Sequence, residues 1–439
     1  MAQDLEEQLR RFHKIDERIS FAWNKATMAQ IYMLSETPQF GPWYRNCITV
    51  VGSQVEGGLY ARMFSNGKHI NETDCMFSLG NIGKHQLQPI QDVPGHFKIR
   101  FNGIHDCFHD GVRDKFDSPA RQERNDFLAG STVIKMTYDM FSSTETKTQA
   151  NEFFADLIFQ PQEPCKSAKV VFKRRGPSVL TKVILRSAEE HLVEIQVDTV
   201  PCFKLSSWPD NFGFEEFRNR KRKWPSKPED VESIQQMVHI VPKWPPSLEE
   251  ESEREYCWRL SFSEAEIRLK SLFSDEEKRV YLLFKILFYD HLKKIKINKK
   301  KMASYFCKTT ILWMMEEEGS ELCKKAVLEA IQMLFRKLKQ FLDNGNIPNF
   351  FYPSNNLIEG YPQGLITECS TIAGNISQRP LEYLPSNFNE VCGHLETIWK
   401  RLEEIEFENF LDTLSDYVKE RRYLTAVLPA QQLSCFGTV

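Results

Sequence analysis

The sequence predicts an α+β chain of two lobes, a mixed sheet backed by a long N-terminal helix and then an all-helical C-terminal lobe. Three observations point there. Leu5, Leu9, Phe12, Ile15, Ile19, Trp23, Met28 and Ile31 recur at helical spacing from about Asp4 to Ser35. Apolar and polar residues alternate through HLVEIQVDTVPCFKL at His191–Leu205, the mark of a half-buried strand, and Cys75-Met76-Phe77 reads as another strand. From Ser261 onward the pattern is helical. The lobes are drawn at residues 1–209 and 210–439.

Taken in order, the first helix turns Arg10, Arg11, Lys14, Arg18 and Lys25 partly outward, interleaved with Glu6, Glu7 and Glu17. Val50-Val51 leads into a Gly52-Ser53 turn, Val55–Phe64 reads as a short helix, and a polar link from Ser65 reaches the strand ending in Met76-Phe77. Between Gly95 and Thr148 the pattern is weak. His105-x-Cys107-x-His109 there lacks the second ligand pair that a zinc site requires, so strand or loop is the better reading. Glu152–Gln160 and Ala168–Lys173 read as element edges. Gly176-Pro177 turns a hairpin between Val171–Arg174 and Val179–Leu185 that feeds the Asp198 strand.

Pro201 and Ser206–Pro209 mark the exit from the sheet. Phe214–Pro246, basic and bearing prolines, crosses between the lobes. Ser263 reads as a helix cap, Asp275 opens a helix through Leu292, Ala326–Leu342 is amphipathic, and Phe388–Val418 is a further helix.

Composition narrows the class. A chain of 439 residues is long enough for two cores, and 41% hydrophobic with 27% charged residues fits a soluble protein. No signal peptide is visible and no run approaches the ~20 apolar residues of a membrane span. Eleven cysteines, an odd count without a CxxC pair, read as reduced thiols, which places the chain in the cytoplasm with the nucleus left open. A formal net charge of -3 excludes a polycation, but basic residues cluster at Arg218–Lys227 and at Lys293–Lys301.

The candidate site begins at the Gly52-Ser53 turn, where backbone N–H groups and a hydroxyl can hold phosphate oxygens. Glu72 and Asp74, two apart on one strand, share a face, and a hard divalent cation relieves their repulsion. A turn followed by two solvated acids reads equally well from these residues alone. A third acid, Asp198, sits within an apolar strand where it needs a partner. Glu72, Asp74 and Asp198 together can hold two metal ions about 3.5–4 Å apart, as two-metal phosphoryl transfer requires.

Gly-Ser, acid-x-acid and a distant strand acid resemble the polymerase-beta-type nucleotidyltransferase fold, and within it the cyclic GMP-AMP synthase-like receptors of the Mab-21 superfamily. The resemblance rests on Gly52-Ser53, Glu72–Phe77 (ETDCMF), Lys173–Val179 (KRRGPSV), Ser206–Pro209 (SSWP), Val241–Lys243, Trp258–Ser263 (WRLSFS) and Ala303–Thr309 (ASYFCKT), in the family's order over most of the chain.

The resemblance implies Mg²⁺ or Mn²⁺ on Glu72, Asp74 and Asp198, with ATP and GTP joined into a cyclic dinucleotide for innate immune signalling. It further implies Arg259 against a base, Tyr305 stacked on one, Lys285 and Ser304 on phosphates, Lys243 on base or ribose, and Glu266 near the acceptor nucleotide. Duplex nucleic acid would be the activator, with Arg10, Lys14, Arg222, Lys223, Lys300 and Lys301 as candidate contacts and assembly on the duplex left open. Glu264–Lys278 carries no His or Cys where the DNA-sensing relative has a zinc insertion, so zinc is not expected and RNA is favoured over DNA. An inactive scaffold, an RNA-tailing enzyme and a cyclase triggered by another ligand remain the rival readings.

Overall fold

A computed structural model describes residues 2–36, 43–56, 59–63, 71–100, 104–113, 126–144, 146, 148, 165–187, 192–209, 213–244 and 251–404. The edges expected over residues 152–160 and the helix expected beyond residue 404 lie outside these residues.

Helix α1 (Ala2–Glu36) forms where the helical stripe predicts it and buries Leu5, Leu9, Phe12, Ile15, Ile19 and Ile31. Then follow α2 (Trp43–Cys47), β1 (Ile48–Val51) and α3 (Ser53–Glu56). Of the helix expected over Val55–Phe64, the described residues show a 3-10 rather than an α turn at Leu59–Arg62. The described part of that stretch holds α3 as far as Glu56 and then this turn, and residues 57–58 and 64 lie outside the described residues.

The sheet comprises β1, β2 (Asn71–Ile82), β3 (Leu87–Pro89), β4 (His96–Ile99), β5 (Cys165–Arg175), β6 (Ser178–Ser187), β7 (Leu192–Leu205), β8 (His239–Pro242) and β9 (Trp258–Ser261). Its order is β1-β2-β7-β8-β9-β4-β3, with the β5–β6 hairpin attached to β7. Only β2 and β7 run parallel among these pairs.

One sheet face carries the main core. Phe77, Phe203, Trp258 and Phe97 are buried, and α4 (Gly130–Ser142) contributes Val133, Met140 and Phe141 to the same cluster. The Trp258 indole N–H donates to the Leu128 carbonyl at 3.0 Å, so the buried ring keeps its one polar group satisfied.

The sheet lobe extends beyond residue 209, where sequence alone drew its end. After a crossing that contains α5 (Phe214–Asn219) and α6 (Pro228–Ser233), the chain re-enters the sheet as β8 and β9, with α7 (Glu251–Arg254) between them. Two strands of four residues separated by prolines give too little alternation to be read locally. Pairing of β8 to Phe203 and Lys204 of β7, and of β9 to β8 and β4, secures them.

The helical lobe contains α8 (Ser263–Ser271), α9 (Asp275–Leu287), α10 (Tyr305–Glu318), α11 (Glu321–Lys324), α12 (Val327–Asp343), α13 (Gln363–Gln378) and α14 (Phe388–Glu404). Ser263 is the first residue of α8 rather than its cap, while Ser274 caps α9 in a capping box with Glu277. Helix α12 buries Ala330, Ile331, Leu334, Phe335, Leu338 and Leu342, one stripe at spacings of three and four, and Phe335 meets Phe284 of α9 at 4.9 Å between centroids. Arg220 seals the crossing to this lobe: its guanidinium lies 4.5 Å from the Trp313 ring and pairs with Glu316 at 2.9 Å. Helix α14 returns to α1 through a tilted Phe12–Phe388 ring contact and an Arg11–Glu396 ion pair. Among the described residues no helix is long and apolar enough to cross a membrane.

Candidate active site

Strand register brings two of the three predicted acids together. Asp74 of β2 and Asp198 of β7 are Cα partners across the parallel pair, on strands about 4.8 Å apart, so they fall on the same face. Val51, the last residue of β1, is the partner of Asp74 on the other side. The chain then turns at Gly52, whose φ of +82° is the left-handed region glycine adopts freely. A Cβ at Gly52 would stand 2.4 Å from Asp74 Oδ2, so a side chain there would collide with the carboxylate. The Gly52 carbonyl accepts from the N–H groups of Val55 and Glu56 at 3.1 and 3.0 Å, which starts α3.

Asp74 is exposed, whereas the Asp198 side chain is 14% exposed and already engaged. Its Oδ2 lies 3.3 Å from an Arg175 guanidinium nitrogen and its Oδ1 lies 3.0 Å from Ser178 Oγ, both at the β5–β6 turn. Glu72 stands two residues before Asp74 at the position paired with Gln196. The side chains of Glu72 and Ser53 lie outside the described residues. Among the described residues no group of three or more His, Cys, Asp or Glu is arranged around a metal position. The described pair, Asp74 and Asp198, presents only carboxylate oxygens, the donor type that suits Mg²⁺ or Mn²⁺.

The same face continues to the predicted base-binding residues. From Asp198, alternation along β7 leads to Val200, Cys202 and Lys204. Lys204 pairs with His239 of β8, two residues before Val241, and Val241 pairs with Arg259 of β9. A small apolar cluster of Val51, Met76, Cys202 and Val241, with Ile267 of α8 against it, floors the interval between the acids and Arg259.

At the far end Arg259 and Lys243 lie close enough for each charge to act on the other's neighbourhood. Arg259, with burial second, pushes the Lys243 ammonium down to about 8. No ion pair joins either cation to a described acid. His96, opposite Arg259 in the β4–β9 pair, is 5% exposed, and burial pushes its imidazole down to about 4. With Nδ1 at 3.0 Å from the Pro94 carbonyl it is the neutral donor tautomer, which leaves the buried Nε2 an acceptor without a hydrogen-bond partner among the described residues.

The remaining predicted contacts sit behind α3. Ser304 precedes α10 and Tyr305 is its first residue, half-buried, where burial and then the Glu266 charge hold its hydroxyl protonated. Glu266 is 4% exposed and bound to Lys308, which also holds Glu56. Lys285 is 3% exposed, and burial pushes its ammonium down to about 8 against the opposing pull of Glu56 and Asp16. Thus Glu266 and Lys285, expected at the nucleotide, are interior groups in this conformation.

The candidate nucleic-acid contacts divide by exposure. Lys301 is exposed and Lys300 half-buried, with its ammonium 5.6 Å from the Tyr361 ring, in the turn before α10 where Asn298 and Lys299 have positive φ. Arg10 is exposed beside Glu6 and Glu7, and Lys14 is exposed. Lys223 is exposed but pairs with Glu318. Arg222 is removed from the set: its side chain is 7% exposed, near Glu316 and 4.5 Å from the Phe217 ring, out of a phosphate backbone's reach. Its run of neighbouring bases looked like one solvated patch, but the crossing turns alternate members inward.

Arg175, Ser178, His96, Glu56 and Lys308 belong to this constellation and were not singled out from sequence. Lys308 alone left a signal, three residues after Tyr305 and therefore on the same side of a helix.

Comparison with known proteins agrees with this geometry. The Mab-21 protein nucleotidyltransferase domain matches residues 71–269 and the Mab-21 protein HhH/H2TH-like domain matches residues 276–373, together more than half of the chain. A cyclic GMP-AMP synthase-like receptor of Aethina tumida is 28% identical over 298 residues, 66% of this chain and 66% of that protein. One of Magallana gigas is 30% identical over 304 residues, 67% of this chain but 46% of that protein, and one of Tribolium castaneum is 27% identical over 241 residues. The matched stretch therefore spans less than two thirds of these relatives' own length.

Proposed function

Because this chain belongs to the Mab-21 nucleotidyltransferase family, we propose that it joins ATP and GTP into a cyclic dinucleotide when duplex RNA binds, as a receptor in innate immunity. The observation that carries this reading is the registered Asp74–Asp198 pair closed by the Gly52 turn.

Asp74 and Asp198, with Glu72 two residues upstream, would hold Mg²⁺ or Mn²⁺. When bound, such ions neutralise phosphate charge and lower the pKa of an attacking hydroxyl. The rest falls to the chain. N–H groups of the turn after Gly52 hold the phosphates, Tyr305 stacks on a base, and Arg259 offers its planar fork to a base edge. Lys243, next to Arg259 and without a described acid, adds charge where the nucleotide is negative. In-line attack by a ribose hydroxyl on the α-phosphate then releases pyrophosphate, and a second round closes the ring. Arg175, 3.3 Å from Asp198 Oδ2 and largely exposed, would yield that oxygen to a cation held by Asp198.

The neighbouring Arg259 charge pushes the Lys243 ammonium down to about 8. Its charged form, present below that value, attracts the nucleotide, so ATP affinity is expected to fall as pH rises through about 8. Equilibrium dialysis between pH 7 and 9 reads this, and Lys243→Arg should flatten the curve; an equally steep curve in that variant would exclude Lys243 as its origin.

The reading is tested with labelled ATP, GTP, CTP and UTP, each with Mg²⁺ or Mn²⁺ and with duplex RNA, duplex DNA or neither. A phosphatase-resistant dinucleotide from ATP and GTP that needs RNA is the expected product. Product with DNA alone, or without any duplex, would reassign the trigger; no product under any condition would leave a scaffold. Lys300→Glu/Lys301→Glu is expected to weaken RNA activation and reduce its dependence on salt, because phosphate contacts release counterions. Unchanged activation would exclude this turn as the RNA surface.

A further inference from the structure

Resting on the nucleotidyltransferase reading, we propose that Lys308 is a positioning residue that ties the Gly52-Ser53 turn to Tyr305, so that the phosphates and base of one nucleotide are gripped as a unit. The Lys308 ammonium lies 2.8 Å from Glu56 Oε1 and 2.7 Å from Glu266 Oε2. The three side chains are 14%, 2% and 5% exposed. Each acid leads to a different part of the site. Glu56 closes α3, and its N–H donates to the Gly52 carbonyl at 3.0 Å, so its carboxylate reports the position of the turn. Glu266 accepts from Lys308, and after burial its charge is the next influence that keeps the Tyr305 hydroxyl protonated. Lys308 is itself one helical turn beyond Tyr305, its ammonium 5.7 Å from that ring's centroid.

Lys308 is the cation that pairs with both acids. Lys285 and Lys270 are buried close enough to feel the Glu56 charge, and the Lys270 ammonium packs on rings, 3.5 Å from the Tyr281 centroid, with no hydrogen bond to a described residue. Moving Lys308 away would strand two carboxylates in the interior, which is strongly unfavourable. A shift of the turn is therefore passed through Glu56 to Lys308, and from Lys308 to Glu266 and to the Tyr305 ring one helical turn away. Phosphate at one end and base at the other settle the same rigid link, which couples their binding free energies.

The test is ATP affinity by equilibrium dialysis with Mg²⁺ for the wild type, Glu56→Gln, Tyr305→Ala and the double variant. Glu56→Gln keeps an oxygen for Lys308 but removes the charge that fixes it. Each single change is expected to weaken ATP by about tenfold and the double by about twentyfold rather than a hundredfold, since the second change acts on a link already broken. A hundredfold loss, or normal ATP affinity in Glu56→Gln, would overturn the link and leave the enzyme reading intact. Absence of ATP binding by the wild type would overturn both. Should Glu56→Gln not fold, hydrogen exchange on the wild type decides: ATP should slow the amides of residues 53–56 and 305–310 together, and protection of one segment alone refutes the proposal.

Discussion

Asp198→Asn is expected to lower dinucleotide formation by about 10³-fold or more, the scale of losing roughly 4 kcal/mol of transition-state stabilisation. The substitution is nearly isosteric. It retains an oxygen that can accept from Ser178 Oγ, now at 3.0 Å, so the strand should hold its place. What disappears is the negative charge beside Asp74 on the neighbouring strand. Melting temperature should change by only a few degrees, because the lost Arg175 contact involves an arginine that is 57% exposed and contributes little to folding. Product measured at saturating ATP, GTP and RNA decides the matter. A variant that keeps more than a tenth of wild-type turnover would show that Asp198 does not hold the reacting phosphate's counterion.

Lys308→Met is expected to destabilise the fold by about 3–5 kcal/mol, enough to move the folding equilibrium by two decades or more. Methionine fills the volume but leaves Glu56 and Glu266 buried without their cation. Urea denaturation followed by circular dichroism gives the value. The triple variant Lys308→Met/Glu56→Gln/Glu266→Gln should recover part of the loss, because removing the stranded charges removes most of the desolvation penalty. A loss below about 1 kcal/mol in the single variant would mean that water or other cations reach the two acids.

Much of the architecture was legible in the sequence because its signals are local. The stripe from Leu5 to Ile31 is a property of one helix, and the alternation around Asp198 is a property of one strand. Gly176-Pro177 announced its hairpin for the same reason. The β8 and β9 strands were missed because four residues do not establish a period, and what holds them is pairing of β8 with β7, over thirty residues earlier, and of β9 with β8 and β4. Arg222 was misplaced because a run of bases has no periodicity that separates an arginine stacked on Phe217 from one facing water.

The amino-acid order by itself determined which residues could do chemistry and on which side of their own element they stand: a glycine where the chain must turn, acids at alternating strand positions, an aromatic at the head of a helix. Tertiary structure alone decided which of them meet. Asp74 opposes Asp198 across a parallel pair, Arg259 shares their sheet face, and Lys308 joins Glu56 to Glu266 from a different helix. The reason is physical: local periodicity is set by backbone geometry within a few residues, whereas register and burial between distant segments are set by the shared core that closes the loops between them.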